Sequence, residues 1–137
     1  VQGKFVYPIL AILVLAGLFW FGFSQPSGNL QIGVIGPLTG SGAQYGLSLR
    51  NGVQLGIDLI NRNGGIGGKK LAAVFLDDAN DKILAAEAGR DAIYRYGVIG
   101  IIGAINSDNT MNLQRICEKA RVPLMTSVST NPFITRV

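Results

Sequence analysis

LQIGVIGPLTGSGAQYGLSLRNGVQLGIDLINRNGGIGGKKLAAVFL, residues 30–76, alternates short apolar runs with polar turns around one amphipathic stretch. Residues 30–36 are apolar and stopped by Pro37, the pattern of a strand buried on both faces of a parallel sheet. Residues 37–45 form a Gly/Ser/Thr loop. Over 46–62 the apolar residues Leu49, Val53, Ile57 and Ile60 recur at helical spacing and make one stripe. Asn63-Gly64-Gly65 ends that helix, because glycine takes a left-handed C-cap without penalty. After the turn at 64–70, residues 71–76 read as a second strand. A strand, a helix and a strand in this order form a crossover unit.

The alternation continues. Asp77-Asp78-Ala79-Asn80-Asp81 leads into a helix expected over 82–96, with Asp81 as its N-cap and Leu84, Ala88, Ala92 and Tyr96 on its inner face. Residues 98–105 are expected as a third strand. Ser107 or Asp108 is expected to cap a helix reaching about Ala120, with Met111, Ile116 and Cys117 turned inward. Residues 123–128 are expected as a fourth strand, followed by the polar loop Ser129-Thr130-Asn131-Pro132. Three successive crossovers imply an α/β fold: an open, doubly wound parallel sheet with helices on both faces.

Upstream, residues 5–23 carry no charge and follow Lys4. As a helix they would span roughly 28 Å, close to a hydrocarbon core. They read as a cleaved export signal or an uncleaved membrane anchor; either exports the rest of the chain. Residues 1–29 are thus expected as signal or anchor plus a short polar linker, and 30–137 as the folded part.

Composition narrows the function. The 137 residues are 48% hydrophobic and 15% charged, with no histidine and one cysteine. No thiol- or imidazole-based metal site can be assembled, no disulfide can form within the chain, and no cofactor is implied. The net charge of +4 comes from scattered lysines and arginines, not from the clustered face of a nucleic-acid binder. Asp77, Asp78 and Asp81 lack the glycine and terminal glutamate of a calcium loop and are expected as a solvated turn with a helix cap. Gly40-Ser41-Gly42-Ala43-Gln44-Tyr45-Gly46 is one residue longer than a dinucleotide fingerprint, and Asn61-Arg62-Asn63 stands where its ribose-binding acid belongs.

In such sheets ligands bind beyond the carboxyl ends of the strands, where strand order reverses. The candidates are Thr39, Ser41, Gln44 and Tyr45 after the first strand, Asn106, Ser107, Asp108 and Asn109 after the third, and Ser127, Ser129, Thr130 and Asn131 after the fourth. They are hydroxyls and amides without a nucleophile–base pair, which suits holding a small polar ion. Backbone N–H groups at the starts of the helices after strands one and three can cradle a carboxylate. Asp108 can pair with an ammonium or cap its helix. Tyr45 can stack on a ligand or pack against the next helix.

Four pieces in register carry a resemblance. They are Gly36-Pro-Leu-Thr-Gly40 with Gln44-Tyr45-Gly46; Asn61-x-x-Gly-Gly-Ile-x-Gly-x-x-Leu71; Asp77-Asp78 with the Ile-Ile-Gly strand before Ser107; and Pro123-Leu-Met-x-x-x-Ser-Thr-Asn-Pro132. Over about residues 30–137 the chain resembles the leucine/isoleucine/valine-binding family of type I periplasmic solute-binding proteins. The resemblance implies a two-lobed carrier that closes on a small amino-acid-like ligand at the outer face of the cytoplasmic membrane or in the periplasm. It implies delivery to an ABC-type permease and no enzymatic step. It implies that Tyr45 flanks the ligand, Ser107 takes its carboxylate, Thr130 makes a second contact, Val128 offers a backbone carbonyl to the ammonium, and Asn106 and Ser129 line the same wall. Some relatives place a disulfide at the positions of Asn80 and Asn106, which are asparagines here. The family's proteins run to more than twice this length, so the second lobe is expected outside residues 30–137. The alternative is that the same lobe is the sensing ectodomain of a membrane-anchored receptor.

Overall fold

A computed structural model of the chain describes residues 28–135. The expected signal or anchor segment and most of its linker lie outside the described residues. The element order is β1 (Leu30–Gly36), α1 (Ala43–Arg62), β2 (Leu71–Asp77), α2 (Lys82–Arg90), β3 (Ile101–Ile102), α3 (Ser107–Ala120), β4 (Leu124–Met125) and a single 3-10 turn (Pro132–Ile134). The four strands are parallel in the order β2-β1-β3-β4. The chain leaves β1 for β2 on one side and returns to β3 on the other. The order therefore reverses between β1 and β3, and the loops that follow these two strands diverge there.

β1 is the spine. Its last four residues, Gly33 to Gly36, are all buried. Their alternation assigns the two faces. A side chain at Gly36 would meet Leu49 of α1, whereas one at Gly33 would meet Ala92, just beyond α2. So α1 covers one face, and α2 and α3 pack against each other on the second. The core between sheet, α2 and α3 is Ile35, Ala88, Ala92, Val98, Ile101, Ala104, Leu113 and Cys117.

α1 buries the stripe the sequence leads one to expect, with Ile57 buried and Leu49, Val53 and Ile60 partly so. It starts earlier than position 46, because Gly42 adopts φ 98° and turns the chain into the helix at Ala43. Gly46 then lies against the backbone, where an added methyl would stand 1.9 Å from the Pro37 carbonyl oxygen. Only glycine lets the start of α1 sit this close to the end of β1.

Three expectations are corrected. The helix expected over 82–96 is regular only to Arg90 and then widens, with the Tyr96 N–H donating to Asp91 O at 3.1 Å. Its inner face is Ala85, Ala88, Gly89 and Ala92, while Leu84 and Tyr96 are exposed. Small residues win that face because Leu113 of α3 lies against it; a methyl on Gly89 would be 2.4 Å from Leu113 Cδ1. In α3 the buried positions are Asn109, Thr110, Leu113 and Cys117, and Met111 and Ile116 are only partly covered. Two polar residues take the inner stripe because they have partners at the strand ends.

The outer strands are shorter than expected. Ile101–Ile102 and Leu124–Met125 are the regular parts of runs expected over 98–105 and 123–128. Ladder bonds flank them, from Ile99 N to Gln31 O at 2.8 Å and from Gly103 N to Met125 O at 2.8 Å. Past that point Gly103 adopts φ 139°, with no room for a side chain beside Ile35 O, and the regular ladder ends.

Two substitutions in α1 test this packing. Gly46→Ala is expected to cost about 2 kcal/mol or more, because rigid backbone must move. Gly52→Ala, exposed with nothing near its Cα, is expected to stabilise by up to about 1 kcal/mol. Urea midpoints of the intact protein read both; equal effects at the two sites would contradict the close approach of Gly46 to Pro37.

Candidate functional site

All four strands end at one edge of the sheet, and their loops are tied to one another by side-chain hydrogen bonds. The tie between the loops after β1 and β2 is Asp77. Its Oδ2 accepts from Thr39 Oγ1 at 2.6 Å, and its Oδ1 accepts from Leu38 N at 2.8 Å, Thr39 N at 3.3 Å and Ala79 N at 2.8 Å. Burial works against the ionised Asp77 carboxyl. The Thr39 hydroxyl and the N–H groups of Ala79, Leu38 and Thr39 outweigh it and hold the carboxyl below the usual value.

Asp78 ties β2 to α3. Its N–H donates to Gly36 O at 3.1 Å, its Oδ1 accepts from Asn80 N at 2.9 Å and its Oδ2 from Asn109 Nδ2 at 3.1 Å. Asp78 is fully buried. Burial pushes its carboxyl up despite the bonds from Asn80 and Asn109, and the charges of Asp77 and Asp81 push the same way. The expectation of a solvated acidic turn therefore fails for Asp78; Asp77 and Asp81 are exposed, and Asp81 caps α2 by accepting from Ile83 N at 2.7 Å and Leu84 N at 3.0 Å.

The loop after β3 is held twice more. Asn106 Nδ2 donates to Asn80 Oδ1, so the two asparagines bond directly to each other. Ser107 Oγ accepts from Asn131 N at 3.3 Å, joining the loops after β3 and β4. Neither Ser107 nor Asp108 is the cap of α3. Asn106 is the N-cap, and it makes no side-chain capping bond. The first N–H bonded within α3 is that of Thr110, to Asn106 O at 2.9 Å. The N–H groups of Ser107, Asp108 and Asn109 come before it, at the positive end of the helix.

An open polar hollow of ≈ 520 Å³ lies here, lined by Asn80, Asp81, Lys82, Asn106, Ser107, Asp108 and Asn109. It brings together Asn106 and Ser107 from the expected site. Ser129 sits beside it, half-buried, and Val128 and Thr130 are exposed on the same loop. Tyr45 stands on the first turn of α1, 57% exposed, and does not line the hollow. Thr39 is committed to Asp77. A cleft of ≈ 620 Å³ runs along α3 and β4 instead, past Cys117, Val122 and Leu124. Cys117 is buried, and desolvation, with Glu118 beside it, pushes its thiol up to about 11, so it packs and does not react.

The arrangement can hold an anion by N–H and hydroxyl donors and a cation by carbonyl oxygens. The sequence pattern missed Thr110 and the tying roles of Asp77, Asp78 and Asn109. The usable signal was two acids directly after an apolar strand, at the edge where ligands bind.

Two experiments test the ties. Folding lowers the Asp77 pKa, so its contribution is complete above the usual carboxylate value and is lost as pH falls through the lowered one. Asp77→Ala is expected to cost about 1–2 kcal/mol at neutral pH, and its gap from wild type to close in acid; a gap that widens in acid would contradict the assignment. Asn80→Cys combined with Asn106→Cys is expected to oxidise to an intrachain disulfide. Thiol titration of the unfolded double variant then finds Cys117 alone; detecting the introduced thiols as well would place the two loops apart.

Residues 29–135 match the family model described as periplasmic binding protein. The leucine-, isoleucine-, valine-, threonine- and alanine-binding protein of Pseudomonas aeruginosa is 33% identical over 127 residues, covering 93% of this chain and 33% of that protein. The Leu/Ile/Val-binding protein of Escherichia coli is 32% identical, covering 89% and 34%. Among solved structures, the branched-chain amino acid transporter substrate-binding protein LivJ from Streptococcus pneumoniae, in complex with isoleucine, superposes with a TM-score of 0.77 at 30% identity, covering 80% of this chain and 31% of that one. The chain spans about a third of the length of the curated relatives it matches.

Proposed function

The chain belongs to the periplasmic binding protein family, and we propose that it is one wall of an extracytoplasmic carrier that captures an amino acid and delivers it to an ABC-type importer. Its relatives are named for binding leucine, isoleucine and valine, not for catalysis. The reading implies a protein exported to the periplasm or held at the outer face of the cytoplasmic membrane.

The observation that supports it best is the start of α3. Ser107 and the N–H groups of 107–109 stand at a helix end that no side chain caps, and the Asn131–Ser107 bond brings the loop after β4 alongside. A carboxylate placed there meets short donors and a favourable dipole. The ammonium of the same amino acid then falls towards the 128–130 segment, where the Val128 carbonyl and the Thr130 hydroxyl are acceptors. Tyr45, on α1 across the divergence of the loops, closes the flank with an aromatic ring. Asn106 and Ser129 complete the wall. The remaining two thirds of a carrier of this kind supplies the opposite wall, and closure of the two removes water from the ligand.

A thermal-shift screen of the intact protein against the amino acids, small amides and aromatic acids tests the reading. A ligand held only by the folded state raises the melting temperature by mass action. A rise with amino acids is expected; no rise with any amino acid in a well-folded sample would overturn it. Ser107→Ala is expected to weaken amino acid binding by about 1–3 kcal/mol, read by titration calorimetry. Unchanged affinity would remove Ser107 from the site.

A further inference from the structure

Three hydroxyls meet where β3, α3 and β4 come together. Thr110 is fully buried on the inner face of α3. Its Oγ1 lies 2.6 Å from Ser129 Oγ, 3.0 Å from Asn106 O and 3.3 Å from Ala104 O. Ser129 Oγ lies 3.1 Å from Ile105 O and 3.4 Å from Ala104 O. Thr126 Oγ1 donates to Ala104 O at 2.9 Å and accepts from Ser129 N at 3.3 Å.

The protons can be counted. Each hydroxyl has one to give. Thr126 gives its proton to Ala104 O. Thr110 and Ser129 share one hydrogen bond between them, so one donates to the other. The remaining proton goes to a carbonyl, Ile105 O if Ser129 keeps it or Asn106 O if Thr110 does. In both cases every proton is spent inside the protein. Ser129 thus has an acceptor inside the protein for its proton without any ligand.

We infer that Thr110 is a positioning residue for the binding wall: through Ser129 it fixes the 128–130 segment against the start of α3, and the Ser129 hydroxyl is a strut between them, not a donor to the ligand. This rests on the amino-acid-binding reading above. The two segments that must grip one small ligand come from different loops. Outside this knot a 3.3 Å bond from Asn131 N to Ser107 Oγ joins them. Thr110 sets their separation from below, out of reach of solvent, and leaves Ser107 and the α3 N–H groups to take the carboxylate.

The test uses the intact protein, isoleucine as probe, calorimetric affinity and the melting temperature without ligand. Thr110→Val keeps the shape and removes the hydroxyl; it is expected to weaken isoleucine binding roughly five- to tenfold. Thr110→Ser restores the hydroxyl and is expected to return affinity to within about twofold of wild type. A role in stability alone would lower the melting temperature of the valine variant and leave its affinity at the wild-type value, and that result overturns the proposal. Should the valine variant not fold, Ser129→Ala removes the other end of the bond. The same loss of affinity supports the proposal, and wild-type affinity overturns it. If the wild-type protein binds no amino acid, the functional reading fails and the proposal falls with it; binding by wild type with no loss in these variants fails the proposal alone.

Discussion

The loops that leave β1, β2, β3 and β4 at one edge of the sheet have no regular ladder to hold them, and each would wander if left to itself. Ordering a loop costs roughly 1–2 kcal/mol per residue in backbone entropy, which a few loose contacts do not offset. Here Asp77 and Asp78 meet that demand from one position in the chain. Asp77 gathers four donors from two loops, and Asp78 ties the end of β1 to the inner face of α3. The two adjacent carboxyls move in opposite directions. Donors hold Asp77 down and burial pushes Asp78 up. Asp77 therefore favours the fold above its lowered value, while the charge on Asp78 costs stability until its own raised value is passed on the way down. A buried carboxylate kept at that cost makes sense where the geometry of loops matters more than bare stability.

The amide pair Asn80–Asn106 and the hydroxyl knot at Thr110 extend the same principle across the edge. Together they set the start of α3 and the loop after β4 before any ligand arrives. Preorganisation of this kind reduces what binding must expend on ordering. The groups so placed are hydroxyls, amides and backbone N–H and C=O. Groups of this kind suit the charged ends common to all amino acids. None of them sorts one apolar side chain from another, which takes a shaped pocket. Generic grip in this wall and selectivity in the facing one is a division that the chemistry of these loops supports.

The fold was legible because the backbone pattern is local. Alternation of apolar runs with a 3.6-residue stripe over 46–62 and glycine punctuation at 63–65 need no tertiary information, and the parallel topology follows from the order. The inner faces of α2 and α3 were not legible. Gly89 faces Leu113 because two helices approach closely there, which no single-helix stripe reveals. Asn109 and Thr110 are buried because their partners, Asp78, Ala104 and Ser129, lie 31, 6 and 19 residues away. The topology placed the loops after the strands at one edge, yet the ties between the loops are long-range hydrogen bonds, and a sequence of hydroxyls and amides does not say which bonds to which. The family resemblance brought Asn80 and Asn106 to notice; their direct bond explains how that junction holds without sulfur.

The start of α3 is the proposed grip on an amino acid. A crystal structure of the intact protein with isoleucine bound tests this most directly. The ligand carboxylate is expected within hydrogen-bond distance of Ser107 Oγ and the N–H groups at the start of α3, with Ser129 Oγ still bonded to Thr110. A ligand seated elsewhere, with this edge of the sheet open to water, would contradict it.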